Sequence, residues 1–570
     1  MPHDKVAASH AQCALKCGEP MPGRSTASLY RLSQDLRART ARFDPFDLLS
    51  WLLIGALLAI ALATFRDYAI SNDEEVQHRY GELILDYYTS GLTDRTLFTY
   101  KNLYLYGGLF DIVAVALARI LPVDAFVIRH VLCAVIGIGG IAAAWATARL
   151  IAGSRAGLLA AAALTVCGPW FGSMFNHTKD IPFAAATMGA IYFLLRATRE
   201  LPRPRLLDLL AFGLLLGAAL GLRALALLIL FYVPIAIALH LPQPVTPASA
   251  MRFIGRAFLL FVPAFALGYL IMIAAWPWAA LNLFNPIHGL FSFAHFQFPI
   301  KTLLFGETFL MADVPRWYVP VYIAIKLPLV VLSGAAIGLV VAAGMARSWG
   351  RSTLRARETA FVAFTALFPV ACQVISHGPA FSGLRHFLFV LPPIAVLAGV
   401  GFDSMLTWLE ARGRALAVAA AVALAALMAW PASVMIRLHP YEYLFFNPIV
   451  GGLQGAARRY DTDYWVNVMH EMVVELERYL DRESPRSSRS YFVAVCGERL
   501  PFEKEAEANK GRLKWATDDD PADFFIAPTH QSCDTAIDGK EILRIERMGV
   551  PIGVVKDRRA ITQPDLVRGD

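Results

Sequence analysis

Apolar runs of about membrane length alternate with short basic or longer polar stretches along this chain. The first run, 46–65, is close to the ~20 residues that a helix needs to cross a bilayer. Further runs at 126–149, 156–173, 181–197, 207–221, 223–240, 257–276, 318–344, 359–376, 385–401 and 415–436 bring the prediction to about 11 transmembrane helices. One more apolar stretch, 105–121, is about 17 residues long and contains Asp111. Read as a span, it would change the side of every later loop, so that Arg149/Arg155 and Arg196–Arg205 would partly land outside. Read as a juxtamembrane helix on the outer face, it keeps Arg149/Arg155, Arg196–Arg205, Arg252/Arg256, Arg347–Arg357 and Arg412/Arg414 together on the inner side. That reading makes 66–125 and 277–317 long outer loops. The odd number of spans then leaves the last segment outside.

Beyond 437 the period changes. Val466, Met469, Val473, Leu476 and Leu480 share a helical face and predict a helix over 464–480. Short β-type runs follow at 491–495, 523–526 and 552–555. The expected fold class is therefore an α-helical polytopic membrane protein with a small extracytoplasmic α/β domain. The expected domains are a polar cytoplasmic tail at 1–45, a membrane domain at 46–436 and the α/β domain at 437–570. Residues 1–45 hold no apolar core with a cleavage site, so no removable signal peptide is expected.

Composition agrees with this pattern. The chain is 57% hydrophobic and only 17% charged, against roughly 25% charged in soluble domains. Its net charge of +7 is dispersed in short loops rather than gathered in a basic patch, so no nucleic-acid partner is expected. Cys13 and Cys17 lack the further ligands of a zinc site. Cys496 and Cys533 can pair if the last domain is extracytoplasmic.

The outer side collects the unusual polar groups: Asp73, Glu74 and Glu75 after the first run, Asp180 in Asn176–Pro182, Arg223 between two runs, His288, His295 and Lys301 in 277–317, and Arg385 and His386. Each has an ordinary role available. Glu75 and Arg79 can form a surface pair. Asp73 and Glu74 can cap a helix, and Asp180 before Ile-Pro can start one. Lys179 and Lys301 can snorkel, and His288 and His295 can be rim residues. Arg223 between two spans needs a partner. Taken together, the set suits a phosphate-bearing amphiphile. Arginine or lysine would hold phosphate oxygens. A carboxylate would act as general base or hold a divalent cation.

These residues resemble the GT-C integral-membrane glycosyltransferases, and within them glycosyltransferase family 39 in its bacterial form. That family includes protein O-mannosyltransferases and lipid A aminoarabinose transferases. Asp73-Glu74 is similar to the family's acidic signature in the first outer loop, and Asn176–Pro182 to its second acidic site. The stretches 384–393 (LRHFLFVLPP) and 439–448 (HPYEYLFFNP) resemble late motifs of bacterial members. The Tyr-rich stretch 100–108 lacks the carboxylate of the aminoarabinose transferases.

The resemblance implies a polyprenyl-phosphate sugar donor, inversion at the anomeric carbon, and an acceptor that is a lipid, a glycan or a protein. It implies a bacterial inner-membrane protein among membrane lipids, with its N-terminus cytoplasmic and its last domain periplasmic. Asp73, Glu74 and Asp180 would be the catalytic acids. Arg223, Lys301, Arg385 and His386 would hold the donor phosphate. A divalent metal (Mg, Mn or Zn) would draw on Asp73, Glu74, Asp180, His288 and His295. Two rival readings make different demands. A transporter or flippase needs ionisable groups in mid-span, of which 126–149 and 415–436 are nearly free. A non-catalytic scaffold would tolerate Asp73→Asn and Asp180→Asn.

Overall fold

A computed structural model describes residues 44–241, 246–294, 298–344, 353–483, 489–517 and 521–562. Among these, six helices are long and apolar enough to cross a membrane: Pro45–Asp67, Ala125–Ala152, Asp180–Arg199, Leu354–Ser376, Arg385–Glu410 and Arg414–Leu438. Two bent pairs raise the number to 8 if each is one span. Leu206–Leu220 and Ala224–Ala238 are shorter apolar helices. The expectation of about 11 full spans is thus reduced.

Proline explains two of the breaks. The 318–344 run is not one continuous helix: Tyr318–Lys326 and Leu329–Ala343 meet at 115°. Leu327 is extended there, and it precedes Pro328, a position that disfavours helix. The 156–173 run splits into Ser154–Thr165 and Gly168–Ser173, with Pro169 in the first turn of the second piece. Leu109–Ile120, at 12 residues, is too short to span. Its start is tied to neighbouring elements: Gly108 N donates to Ala275 O at 2.9 Å, and Leu109 N to Gly221 O at 3.1 Å.

Arg385–Glu410 and Asp180–Arg199 form the buried centre, whereas Pro45–Asp67 and Arg414–Leu438 are largely exposed and apolar. Close helix approach at the centre depends on small residues. A Cβ on Gly401 would overlap the backbone at Gly334, and one on Gly338 the carbonyl of Leu397.

Beyond these helices lies a five-stranded mixed sheet. Its strands are β3 (Tyr491–Val495), β4 (Leu513–Trp515), β5 (Phe524–Pro528), β6 (Lys540–Arg547) and β7 (Val550–Asp557), in the order β4-β3-β5-β7-β6. The helix Met469–Glu483 packs against it through Met472, Val473, Leu476 and Leu480. It starts later than its apolar spacing predicts. The Asp463 carboxylate takes the Asn467 and Val468 N–H groups at 2.9 Å and holds that stretch as a loop. Cys496 and Cys533 are bonded, with Cα atoms 6.4 Å apart. The outer loop 277–317 contains an antiparallel hairpin, β1 (Lys301–Leu304) and β2 (Glu307–Leu310). Its turn, Phe305-Gly306, has positive φ at both residues, as a two-residue hairpin turn requires.

Candidate active site

Asp73 stands at the N-terminus of the helix Glu74–Thr89, yet its side chain caps nothing. The carboxylate, 40% exposed, instead reaches a cavity of about 220 Å³. Arg385 donates from Nη2 to Asp73 Oδ2. Its Nε donates to Asp180 Oδ2 at 3.2 Å, and Arg223 Nη2 donates to the other Asp180 oxygen. Asp73, Arg385, Asp180 and Arg223 therefore form a row of alternating charge drawn from four separate chain segments.

Local structure fixes each member. Asp180 opens its helix, with Pro182 in the first turn, and both its oxygens are committed. Arg223 is extended between Leu206–Leu220 and Ala224–Ala226. A Cβ on Gly107 would overlap the Gly221 carbonyl, so the loop before Leu109–Ile120 lies directly against the Arg223 connection. The Arg385 guanidinium lies 4.0 Å from the centre of the Trp465 ring, a cation–π contact from the segment beyond 437. Trp465 Nε1 and Tyr464 reach His177 Nε2, and burial pulls that imidazole down to about 3, so it is neutral.

Lys179 supplies a further cation to the cavity. It lies 4.3 Å from the Tyr106 ring, and burial pulls its amine from the usual value to about 8. His386 also lines the cavity, packed on Phe381 with ring centres 4.5 Å apart.

Thus Asp73, Asp180, Arg223, Arg385 and His386 converge as expected, and the others do not. Glu74 is fully buried and faces away from the cavity. Its Oε2 accepts Ser71 N at 2.8 Å and lies 3.2 Å from His130 Nε2, while Oε1 is 3.6 Å from Arg129 Nε. Arg129 Nη2 donates in turn to Asp111, Thr178 and Gln77. These charges form a brace behind the site, and Arg129 and His130 come from the first turns of the run 126–149. Lys301 lines a second cavity with Arg458 and Gln531, apart from Arg223. Strand alternation explains this, since its neighbour Ile300 faces the first cavity. Arg79 pairs with Glu82 at 2.8 Å rather than with Glu75. His288 is exposed on Asn285–Ala294 and lines neither cavity. His295 lies outside the described residues.

The expected metal set does not fit this arrangement. Both oxygens of Asp180 are taken by arginines, and Glu74 is turned into the brace. Among the described residues no three His, Cys, Asp or Glu side chains cluster as ligands. Arg385 and Arg223 stand where a cation would otherwise balance the acids.

The 439–448 motif is structural as well. His439 bridges Asp67 Oδ2 at 3.0 Å and Glu442 Oε1 at 2.7 Å. Asn447 Nδ2 donates to Ala324 O and Leu327 O and so ties off the bend after Tyr318–Lys326.

Two apolar grooves flank Leu206–Leu220. One, of about 690 Å³, includes Leu222, Ile136, Ala186 and Phe193 and reaches Arg196. The other, of about 520 Å³, includes Leu220, Leu227, Tyr269 and Phe284. Each therefore meets the connection that carries Arg223.

Residues 110–267 match the family model described as dolichyl-phosphate-mannose-protein mannosyltransferase. The match covers less than a third of the 570 residues. It contains Lys179, Asp180 and Arg223, whereas Asp73 and Arg385 lie outside it. The chain is similar to the ArnT structure from Cupriavidus metallidurans bound to undecaprenyl phosphate. Identity is 13% over 89% of this chain and 97% of that one, with a TM-score of 0.43. It is also similar to the apo oligosaccharyltransferase of Archaeoglobus fulgidus, at 13% identity over 81% of this chain and 64% of that one, with a TM-score of 0.43. Comparison with curated proteins gives no match.

Proposed function

We propose that this protein transfers a hexosyl or pentosyl group from a polyprenyl-phosphate donor to an acceptor hydroxyl or phosphate, with inversion, on the periplasmic side of a bacterial inner membrane. The observation that carries the reading is the half-exposed Asp73 carboxylate sharing one cavity with Lys179, Arg223 and Arg385. Apolar grooves able to take a lipid tail reach the connection that places Arg223 in that cavity. The family match is consistent with a lipid-phosphate donor, and the undecaprenyl phosphate on the ArnT neighbour has the same chemistry. The Cys496–Cys533 disulfide suits an oxidising compartment for the last segment.

In the proposed reaction the acceptor oxygen attacks the anomeric carbon opposite the phosphate. A new carbon–oxygen bond forms as the bond from that carbon to the phosphate oxygen breaks. Polyprenyl phosphate leaves with the electron pair, and the acceptor proton passes to Asp73. Arg385 occupies Asp73 Oδ2, while Oδ1 has no hydrogen-bond partner among the described residues. Lys179, Arg223 and Arg385 neutralise the leaving phosphate. Phosphate already leaves readily, so positioning and charge stabilisation carry the rate.

The test uses full-length protein in nanodiscs with a panel of radiolabelled polyprenyl-phosphate sugars and native membrane extract. Label should move to an extractable acceptor, and the product should show the anomeric configuration opposite to that of the donor. Retention of configuration, or no transfer from any donor, would overturn the reading.

A further inference from the structure

The second cavity, about 320 Å³, lies between the β1–β2 hairpin and the segments after 458 and 529. Lys301, Arg458 and Gln531 stand at its exposed rim, with the hydroxyls of Thr308, Thr462, Thr529 and Ser532 around it. The first-cavity mechanism uses none of these groups. Arg458 is balanced by Asp534 at 3.2 Å, whereas Lys301 has no carboxylate within 4.0 Å among the described residues, so its ammonium is available to an anion.

The walls are held rather than loose. Gly306 N donates to Arg459 O at 2.9 Å, and Gln531 Nε2 to Lys301 O at 2.6 Å. Phe305, Arg458, Gln531 and Ser532 all have positive φ, a conformation that side-chain-bearing residues adopt at a cost and that needs such support. The Cys496–Cys533 bond anchors the turn that carries Gln531 and Ser532.

Two stretches of backbone connect this cavity to the candidate active site. In one, Ile300 lines the first cavity and Lys301 the second. In the other, Thr462 lines the second cavity while Trp465, three residues on, stacks on Arg385. A group held here would therefore lie beside the first cavity.

We infer that this cavity binds an anionic, hydroxyl-bearing sugar unit of the acceptor, a sugar phosphate or a uronate. The inference rests on the glycosyl-transfer reading above. Lys301 and Arg458 take the anion, and the threonine, serine and Gln531 groups take the ring hydroxyls.

The experiment measures binding of glucose 6-phosphate, glucuronate, glucose and inorganic phosphate to the full-length protein in nanodiscs of neutral lipid. Glucose 6-phosphate or glucuronate should bind about tenfold more tightly than glucose or inorganic phosphate, and Lys301→Gln or Arg458→Gln should each weaken binding by about tenfold. Lys301→Arg should retain it, which separates charge from folding damage. Asp73→Asn should leave this binding unchanged while slowing sugar transfer by roughly 10²-fold or more, so transfer at the wild-type rate in Asp73→Asn would sink the catalytic reading alone. Absence of binding, binding indifferent to both charge-removing variants, or inorganic phosphate binding as tightly as the sugar phosphate would overturn the inference.

Discussion

Two aspartates meet the same arginine, and their different burial predicts different consequences when each is neutralised. Asp180 is 4% exposed and lies between Arg223 and Arg385. Asp180→Asn removes the anion that both guanidiniums face and leaves Arg223 without an ion-pair partner among the described residues. Breaking a buried pair from one side costs about 3–5 kcal/mol. Asp73 is 40% exposed and its pair is screened by water, so Asp73→Asn should cost no more than about 1 kcal/mol of stability. Its effect belongs to the rate: losing a general base should slow transfer by roughly 10²–10⁴-fold. Thermal unfolding in detergent, followed by intrinsic fluorescence, would compare the two variants beside transfer rates on the same preparations. Asp180→Asn should lower the midpoint clearly, and Asp73→Asn should leave it near wild type. A double variant, Asp180→Asn with Arg223→Gln, should recover part of the loss, because Arg385 then keeps Asp73 as its partner. Equal midpoints for the two single variants, or a double variant worse than the sum, would refute the charge row as described.

Other consequences are as direct. Burial holds the Lys179 amine at about 8, so it carries its charge below that pH and loses it above; the donor KM should rise between pH 7 and 9, and Lys179→Arg should flatten that rise. Glu74→Gln leaves Arg129 and His130 facing a weaker acceptor and should cost about 1–3 kcal/mol of stability, while the protein that remains folded keeps near-normal kcat in a single-turnover assay. Gly107→Ala would force the loop off the Gly221 carbonyl and shift Arg223, so donor binding should weaken in a lipid-phosphate binding assay even though residue 107 carries no charge.

Much of the architecture was legible because the bilayer imposes a length and a polarity on each span. The runs at 126–149, 181–197 and 415–436 fold as helices close to their predicted limits. Asp111 and its short run were correctly separated from the spans, since 12 helical residues cannot cross a bilayer. Hydropathy carries no backbone angle, so the 115° bend before Pro328 leaves no trace in the 318–344 run. The site was legible where charge had to be explained: Asp73, Asp180, Arg223 and Arg385 have no reason to lie near membrane except one another.

Direction was the part the sequence hid. Adjacent Asp73 and Glu74 point into different environments, because one ends a turn and the other begins a helix. Lys179 and Lys301 exchanged roles for the same reason. The Lys179 side chain lies over the Tyr106 ring at the cavity, while β1 turns Lys301 to the opposite face. Trp465 was missed because a tryptophan 80 residues after Arg385 carries no local signal, although cation–π stacking on a buried arginine is a common use of that side chain.

In the proposed reaction Asp73 takes the acceptor proton beside a phosphate held by Lys179, Arg223 and Arg385. This step is tested most directly by the single-turnover rate of sugar transfer from a polyprenyl-phosphate donor in wild type and Asp73→Asn, both saturated with donor and matched for thermal stability. Asp73→Asn should lose roughly 10²-fold or more in rate with donor affinity unchanged to within a few-fold. Equal transfer rates in the two proteins would contradict it.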